Sequence, residues 1–532
     1  MSEATIADAF PPSAAAQEER EDFSSITPLG RSALLGSIVV VALCGIVYEL
    51  IIGAISSYLL GNSVYQFSIT IGFFMFAMGA GSYASQHIRD RLIYNFILVE
   101  IVLAIIGGVC SISLFVAFPF SPALYTTVMM GFILTIGFLV GLEIPLLTRI
   151  LAQSSGTRRS IASVMSLDYV GALIGSVAFP LVLLPSLGLV RASFAIGVAN
   201  VFVALMTLHF LKANVARSRR LGQAACGVLV GLLILIALGA KITAFAQHHL
   251  YFDDIIWKKQ TPYQSLVVTR DWKKNDLRLY IDGHLQFSQS DEHRYHEALV
   301  HPVMSFPGPV ENVLILGGGD GLALREVLKH NGVARVDLVD IDPAMTALAS
   351  EFAPIKSLNE GVMDDARVEV HHKDAFVFIQ NAPVRYDRVI IDMPDPHDAA
   401  ISKLYSVEFY SMIKAALSPE GLIVTQSSSP FFARRTFWSV GATIDAAFEA
   451  TQAYNIAIPS FGVWGFHLGA QNEQTLNAAP PVTVPTKFWN EQVFAGARVF
   501  PEDIARPSKT IVNSIFEPQL YQLYLDDMRK PL

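Results

Sequence analysis

Charge is scarce in this sequence. Asp, Glu, Lys and Arg make up 16% of its 532 residues, against 52% hydrophobic side chains, and the mean hydropathy is +0.44. That balance excludes an ordinary soluble globule and fits membrane spans diluted by something soluble. A basic excess is also lacking. The formal net charge of −8 argues against nucleic acid as a partner and is compatible with cationic ligands. Cysteine is rare: Cys44, Cys110 and Cys226 all fall inside apolar runs. No disulfide framework and no metal knuckle can be built from them, and no metal is expected. The N-terminus has no basic region followed by a short apolar core, so it is not read as a signal peptide. Residues 1–31, with "AAAQEEREDFSS", read as a disordered tail. No repeat of 20–50 residues is evident, and the length exceeds one ordinary domain.

What is present begins with apolar runs. Seven lie near 33–60, 65–86, 93–119, 122–150, 161–187, 189–213 and 222–244, each long enough for about 30 Å of hydrocarbon. They predict a seven-helix transmembrane domain over 32–245, a multi-pass protein of the cell membrane with the lipid bilayer as its partner. Arg89 and Arg91, then Arg149, Arg158 and Arg159, then Lys212, Arg217, Arg219 and Arg220 follow the even-numbered runs, while the opposite loops hold only Arg191. Charge bias puts the basic loops and the N-terminus in the cytoplasm. Seven spans then deliver the C-terminal half to the other side, which is awkward for a site using a cytosolic nucleotide; the side stays open. Glu49, Glu100, Glu143 and Asp168 lie within the spans. Carboxylates there are costly, so they read either as the lining of a cation-binding cavity or as protonated groups bonded to neighbouring helices.

Past Gln247 the composition changes. "YQSLVVTRDWKKNDLRLYIDGHLQFSQ" alternates apolar and polar residues around turns at 273–276 and 282–283, predicting a small antiparallel β subdomain over 246–310. From 311 to 532, "NVLILGGG", "RVDLVDID", "RVEVHHKDA", "YDRVIIDMPD" and "GLIVTQSSS" alternate with helical stretches. They predict an α/β Rossmann-like, doubly wound, mostly parallel sheet with ligands at the carboxyl ends of its strands. The loop Gly317–Gly319 is a weak signal alone. Asp340 ends the second strand, where an acid takes ribose hydroxyls, and Asp374 ends the next, where an adenine amine would lie. Together they favour an adenosyl ligand; the alternative is that both acids cap helices.

The stretch from about 263 to 470 resembles the spermidine synthase family of aminopropyltransferases. It carries "YQS", "YIDGHLQFSQSDEHRYHEALVHP", "VLILGGGDGLALREVLKH", "DIDP", "KDAF" and "DMPDP" followed by "LYSVEFY". The helical half looks like the multi-pass extension of one branch of that family. The resemblance implies transfer of the aminopropyl group of decarboxylated S-adenosylmethionine, a co-substrate and not a resident cofactor, to a diamine such as putrescine. Spermidine and methylthioadenosine would result, with a homo-oligomer compatible. It implies Asp392 as general base, Asp395 as holder of the acceptor amines, Tyr295 as the group orienting the attacking nitrogen and Gln426 as an acceptor contact. On the donor side it implies Gln264, His296, Gly317, Gly319, Asp320, Asp340, Asp374 and Ala375. Asp320 would grip the donor's ammonium and repel the carboxylate of ordinary S-adenosylmethionine.

Some positions depart from the family pattern. Asp340 stands where Glu is commoner, the loop reads GGGDGL, "GPAE" after the acidic pair is missing, and Phe461 stands where a hydroxylated aromatic is common. These leave the donor reading intact and the acceptor open. Two rivals are a methyltransferase on the same fold and a polyamine transporter or sensor whose soluble half only binds. Asp320 and the doubled acids of "DMPDP" count against the first. A pure binder has no need of ribose and adenine acids alongside Asp392.

Overall fold

The structure, a computed structural model, describes residues 27–60, 63–118, 120–155, 157–212, 215, 218–251, 253–472, 476 and 481–529. It divides into two compact units, Met1–Phe252 and Asp253–Leu532. Most of the stretch read as a tail lies outside the described residues, but its end does not. Helix α1 (Pro28–Leu60) already starts at Pro28. The Thr27 hydroxyl accepts from the Gly30 N–H at 3.1 Å, and proline suits the first helical position, so a cap overrides the polar composition.

Six more helices complete the first unit: α2 (Ser63–Ala84), α3 (Leu92–Ala117), α4 (Pro122–Ser155), α5 (Thr157–Ala178), α6 (Leu184–Leu211) and α7 (Ser218–Tyr251). Their contacts fix their directions. Gly171 and Gly175 of α5 meet Val39 and Leu43 of α1, so these two climb together. Tyr48 and Tyr58 of α1 meet Gly107 and Phe115 of α3, again climbing together. On α6 the order reverses: Leu189 accepts from Ser111, Gly108 from Ser193, and Gly197 packs on Ala104. Thus α6 runs against α3, and Leu208–Gly222 and Arg191–Gly239 set α7 against α6.

Among the described residues, six stretches are long and apolar enough to cross a membrane, the longest being Thr157–Leu211. As one straight helix that stretch would measure about 80 Å, far more than the roughly 30 Å of hydrocarbon. It is not straight. A wider π-helical turn at Phe179–Leu183 is followed by Gly188 at φ 69°, ψ 173°, and the chain reverses there. Small residues let the helices touch backbone to backbone. A Cβ on Gly141 would stand 2.1 Å from the Met78 carbonyl oxygen, the close approach that membrane bundles use where lipid offers no hydrophobic drive.

The second unit opens with a four-stranded antiparallel meander, β1 (Asp254–Gln260), β2 (Ser265–Arg270), β3 (Leu277–Ile281) and β4 (His284–Ser288). Asp282 and Gly283 both have positive φ, the two-residue hairpin that matches strand twist. Helix α8 (Glu292–Ser305) leads into β5 (Asn312–Gly317), α9 (Leu322–Leu328), β6 (Arg335–Asp340), α10 (Pro343–Glu351), β7 (Val368–His372), α11 (Ala375–Gln380), β8 (Tyr386–Asp392), α12 (Val407–Ala416), β9 (Leu417–Gln426) and α13 (Arg434–Asp445). An antiparallel pair follows, β10 (Ala450–Ile458) and β11 (Gly462–Ala470), and helix α14 (Leu520–Arg529) comes last. The large sheet has the order β10-β11-β9-β8-β5-β6-β7.

Strand β5 is covered on both faces. Val313 and Ile315 join the core of Leu299 and Val303, while Leu314 and Leu316 join that of Phe409 and Ile413. Each such side chain taken fully out of water stabilises by about 1.5–3 kcal/mol. That double burial is why these strands read as continuous apolar runs. The chain winds outward from β5 through β6 and β7, then returns to its other side as β8 and β9. The switch point is therefore the β5/β8 seam, where Gly317 pairs with Asp392. Ligands bind at such a seam beyond the strands' carboxyl ends.

Candidate active site

Two glycines shape the seam. Gly317 has φ 82°, and a Cβ there would lie 2.1 Å from the Asp392 carbonyl oxygen, so a side chain would wedge β5 from β8. A Cβ on Gly319 would lie 2.3 Å from Asp340 Oδ2. Instead the Gly319 N–H donates to that oxygen at 3.1 Å, and the Asp342 N–H donates to Asp340 Oδ1 at 2.8 Å. Asp340 thus has one donor on each oxygen and lone pairs left for a diol. Burial, together with Asp342 and Asp320, pushes its carboxyl up to about 6.

Asp320 turns back on its own loop, accepting from the Leu322 N–H at 2.9 Å, and Asn359 Nδ2 donates to the Asp320 carbonyl at 2.9 Å. Burial raises its carboxyl, and His296 opposes the rise. His296 is buried on α8. Its Nδ1 lies 2.8 Å from Glu292 Oε2, and Glu292 takes both Arg325 NH groups at 3.1 and 2.9 Å. Burial works against the Glu292 carboxylate, but His296 and Arg325 outweigh it and hold it down at about 2. Burial likewise opposes charge on His296, yet Glu292, Asp320 and Asp392 raise it overall. The imidazole is therefore oriented by one acid and faces two others.

Asp392 ends β8 beside the loop. The Tyr295 hydroxyl donates to its Oδ1 at 2.6 Å. Burial pushes the Asp392 carboxyl up to about 6; Asp320 adds to the rise, while His296 and Tyr295 limit it. Asp395 is held by three side chains. Gln426 Nε2 reaches Oδ1 at 3.3 Å, while Ser428 Oγ and Tyr524 Oη donate to Oδ2 at 3.2 and 3.0 Å. Burial raises it even so. Gln426 is itself fixed, with Nε2 2.6 Å from Tyr405 Oη and Oε1 accepting from the Ser428 N–H at 2.9 Å. A base beside a donor-rich carboxylate, both in largely dry surroundings, can take a proton from a positioned group and hold a cation next to it.

The remaining expected residues spread outward. Asp374 caps α11, accepting from the Phe376 N–H at 2.8 Å, and pairs with Lys403 Nζ at 2.6 Å; Ala375 is the buried first residue of that helix. Capping accounts for part of Asp374's environment. Gln264 closes a turn: its carbonyl accepts from the Thr261 N–H, and its own N–H donates to Thr261 Oγ1 at 3.0 Å. Thr261 Oγ1 also donates to Asp342 Oδ2 at 2.8 Å, tying the small sheet to the loop after β6. The Phe461 ring lies 6.3 Å from Tyr295. The sequence reading missed Glu292, Arg325, Tyr405, Ser428 and Tyr524. Only Glu292, one helical turn before His296, left a local signal.

Comparison with known proteins identifies the family. Residues 292–478 match the spermine/spermidine synthase domain. Polyamine aminopropyltransferase 1 of Streptomyces coelicolor is 42% identical over 516 residues, covering 94% of this chain and 95% of the relative. Polyamine aminopropyltransferase 2 of Ralstonia nicotianae is 43% identical over 484 residues, 90% and 94% of the two chains. Among solved structures, a spermidine synthase in complex with the transition-state analogue AdoDATO aligns with TM-score 0.44 and 26% identity, over 47% of this chain and 86% of that one. The two curated alignments are too long to stop at the second unit, so the helical half is shared as well. The chain belongs to the spermine/spermidine synthase family and is a polyamine aminopropyltransferase.

Proposed function

We propose that the protein transfers the aminopropyl group of decarboxylated S-adenosylmethionine to a diamine of the putrescine type, from a catalytic unit anchored by seven membrane spans. The donor has lost its carboxylate and ends in an ammonium beside a sulfonium. Asp320 is suited to that ammonium, Asp340 to the ribose diol and Asp374 with Ala375 to the adenine edge, with Gln264 and His296 as further donor contacts. On the acceptor side, Asp395 and Gln426 hold the far amine and Tyr295 orients the near one. Asp392 removes the proton that keeps the near amine from attacking. The amine lone pair then forms a C–N bond at the carbon next to sulfur, the C–S bond breaks, and methylthioadenosine leaves with that electron pair. No protein nucleophile is needed, so the rate comes from positioning and proton removal.

The observation that carries this reading is the pairing of Asp392 with Tyr295 at 2.6 Å at the same seam as Asp320. A methyltransferase must accept a donor carboxylate, which Asp320 repels. Seven spans are supported by the alternating helix directions and the reversal at Gly188. The test is methylthioadenosine release by the purified full-length protein, with decarboxylated S-adenosylmethionine and several di- and polyamines. Release with a diamine, and none with S-adenosylmethionine in its place, is expected. No release with any amine from folded protein contradicts the proposal.

A further inference from the structure

The helical unit holds a polar cluster that aminopropyl transfer does not use. Glu100 on α3 and Glu143 on α4 are both fully buried. Among the described residues none of the four carboxyl oxygens has a hydrogen-bond partner, and the neighbours Ile97 and Ile101 of α3 share one apolar cluster with Leu142 and Leu146 of α4. Asn200 on α6 is also fully buried, with neither its amide oxygen nor its nitrogen partnered, and the buried Tyr48 hydroxyl is unpartnered too.

The two glutamates and Asn200 occupy one level of the bundle. Antiparallel contacts of α6 with α3 pass through Ser193–Gly108 and Gly197–Ala104. One further turn along the same facing stripes brings Asn200 level with Glu100. From α1, Cys44 Sγ approaches the Ile196 carbonyl at 3.8 Å and Gly45 packs on Val140, one turn before Asn200 and Glu143 respectively. Four helices thus meet around two carboxyls and an amide.

Unsatisfied polar groups inside a membrane bundle are costly and call for a partner. Two fully buried carboxyls on adjoining helices do not both ionise without a cation beside them. The acceptors come from three directions: Glu100, Glu143 and the Asn200 amide oxygen. A primary ammonium has three N–H donors, and the apolar side chains around it suit a methylene chain. We propose that Glu100, Glu143 and Asn200 form a second polyamine site, inside the helical bundle, that takes one terminal ammonium of the enzyme's own amine substrate or product. The inference rests on the aminopropyl-transfer and membrane readings given above.

The test uses the full-length protein in nanodiscs of zwitterionic phosphatidylcholine, which removes binding to anionic lipid. Equilibrium dialysis with radiolabelled spermidine, and separately putrescine, counts bound amine per chain, while methylthioadenosine release is followed in parallel. Wild type should bind two amines per chain with at least one of the two ligands. Glu143→Gln and Asn200→Ala should each bind one, with turnover within about twofold of wild type, which also shows that the variants are folded. One amine per chain in wild type overturns the inference, and so does a count of two that neither variant lowers. Loss of the second amine when choline chloride is replaced by sodium chloride at equal ionic strength also overturns it, in favour of a metal cation. Wild type that binds two amines but releases no methylthioadenosine would sink the catalytic reading and leave this site standing.

Discussion

Replacing Tyr295 by Phe removes one hydroxyl and keeps the ring against Phe461 and Phe466. In the wild type that hydroxyl donates to Asp392 at 2.6 Å and favours its charged form. A hydrogen bond to a charged group contributes about 1.5–3 kcal/mol, and about 1.4 kcal/mol is a tenfold change in proton affinity. The base works only when ionised. Its carboxyl is pushed up to about 6 by burial, so wild-type kcat/KM should rise with pH through about 6 and then level. Loss of the hydroxyl makes Asp392 a stronger proton binder, so the rise shifts to roughly tenfold lower proton concentration. At pH 6 the ionised fraction then falls from about one half to about one tenth, whereas at pH 8 it changes by only about a tenth. The assay is methylthioadenosine release by Tyr295→Phe and wild type from pH 5 to 9. The deficit of the variant should be about fivefold larger at pH 6 than at pH 8, above any constant loss from poorer orientation of the amine. A variant-to-wild-type ratio that is flat across that range would refute the claim that Tyr295 sets the ionisation of Asp392.

Asp320→Asn should weaken binding of decarboxylated S-adenosylmethionine and relax discrimination against S-adenosylmethionine, by about tenfold or more for a lost charge-assisted contact; competition binding checks this, and an unchanged preference would remove Asp320 as selector. Reporter fusions after Leu532 and at Arg158, in the first turn of α5, should report opposite faces of the membrane, because three helical segments separate that end of α5 from the catalytic unit. The same face for both would mean that one segment does not cross.

The alternation of strand and helix was legible because doubly buried strands are apolar runs that stop at glycine or acid. That rule picked out the ends of β5, β6, β7 and β8, and with them Gly317, Asp340, Asp374 and Asp392. The antiparallel pair β10–β11 was not legible. β10 leaves mostly half-buried side chains, and in β11 Gly462, Gly465 and Gly469 interrupt an otherwise largely buried strand, so neither a continuous apolar run nor a clean alternation marks them. Tyr524 was invisible for another reason. It reaches Asp395 from 129 residues away, and one tyrosine in an amphipathic C-terminal helix carries no local sign of its partner. The Glu292–Arg325 pair is hidden in the same way by tertiary distance. In the helical half the sequence placed a boundary between runs at residue 188, and the structure adds its cause, a glycine in an extended left-handed conformation.

The central claim is that Asp392 removes the proton from the attacking amine. Asp392→Asn keeps the shape of the side chain and abolishes proton acceptance, so donor affinity and turnover must separate. Calorimetric binding of decarboxylated S-adenosylmethionine to the full-length variant should stay within about threefold of wild type, while methylthioadenosine release falls by about a hundredfold or more, the size expected for a positioned general base. Turnover close to wild type in Asp392→Asn, with the donor still bound, would contradict the account and make Asp395 the first candidate for the base.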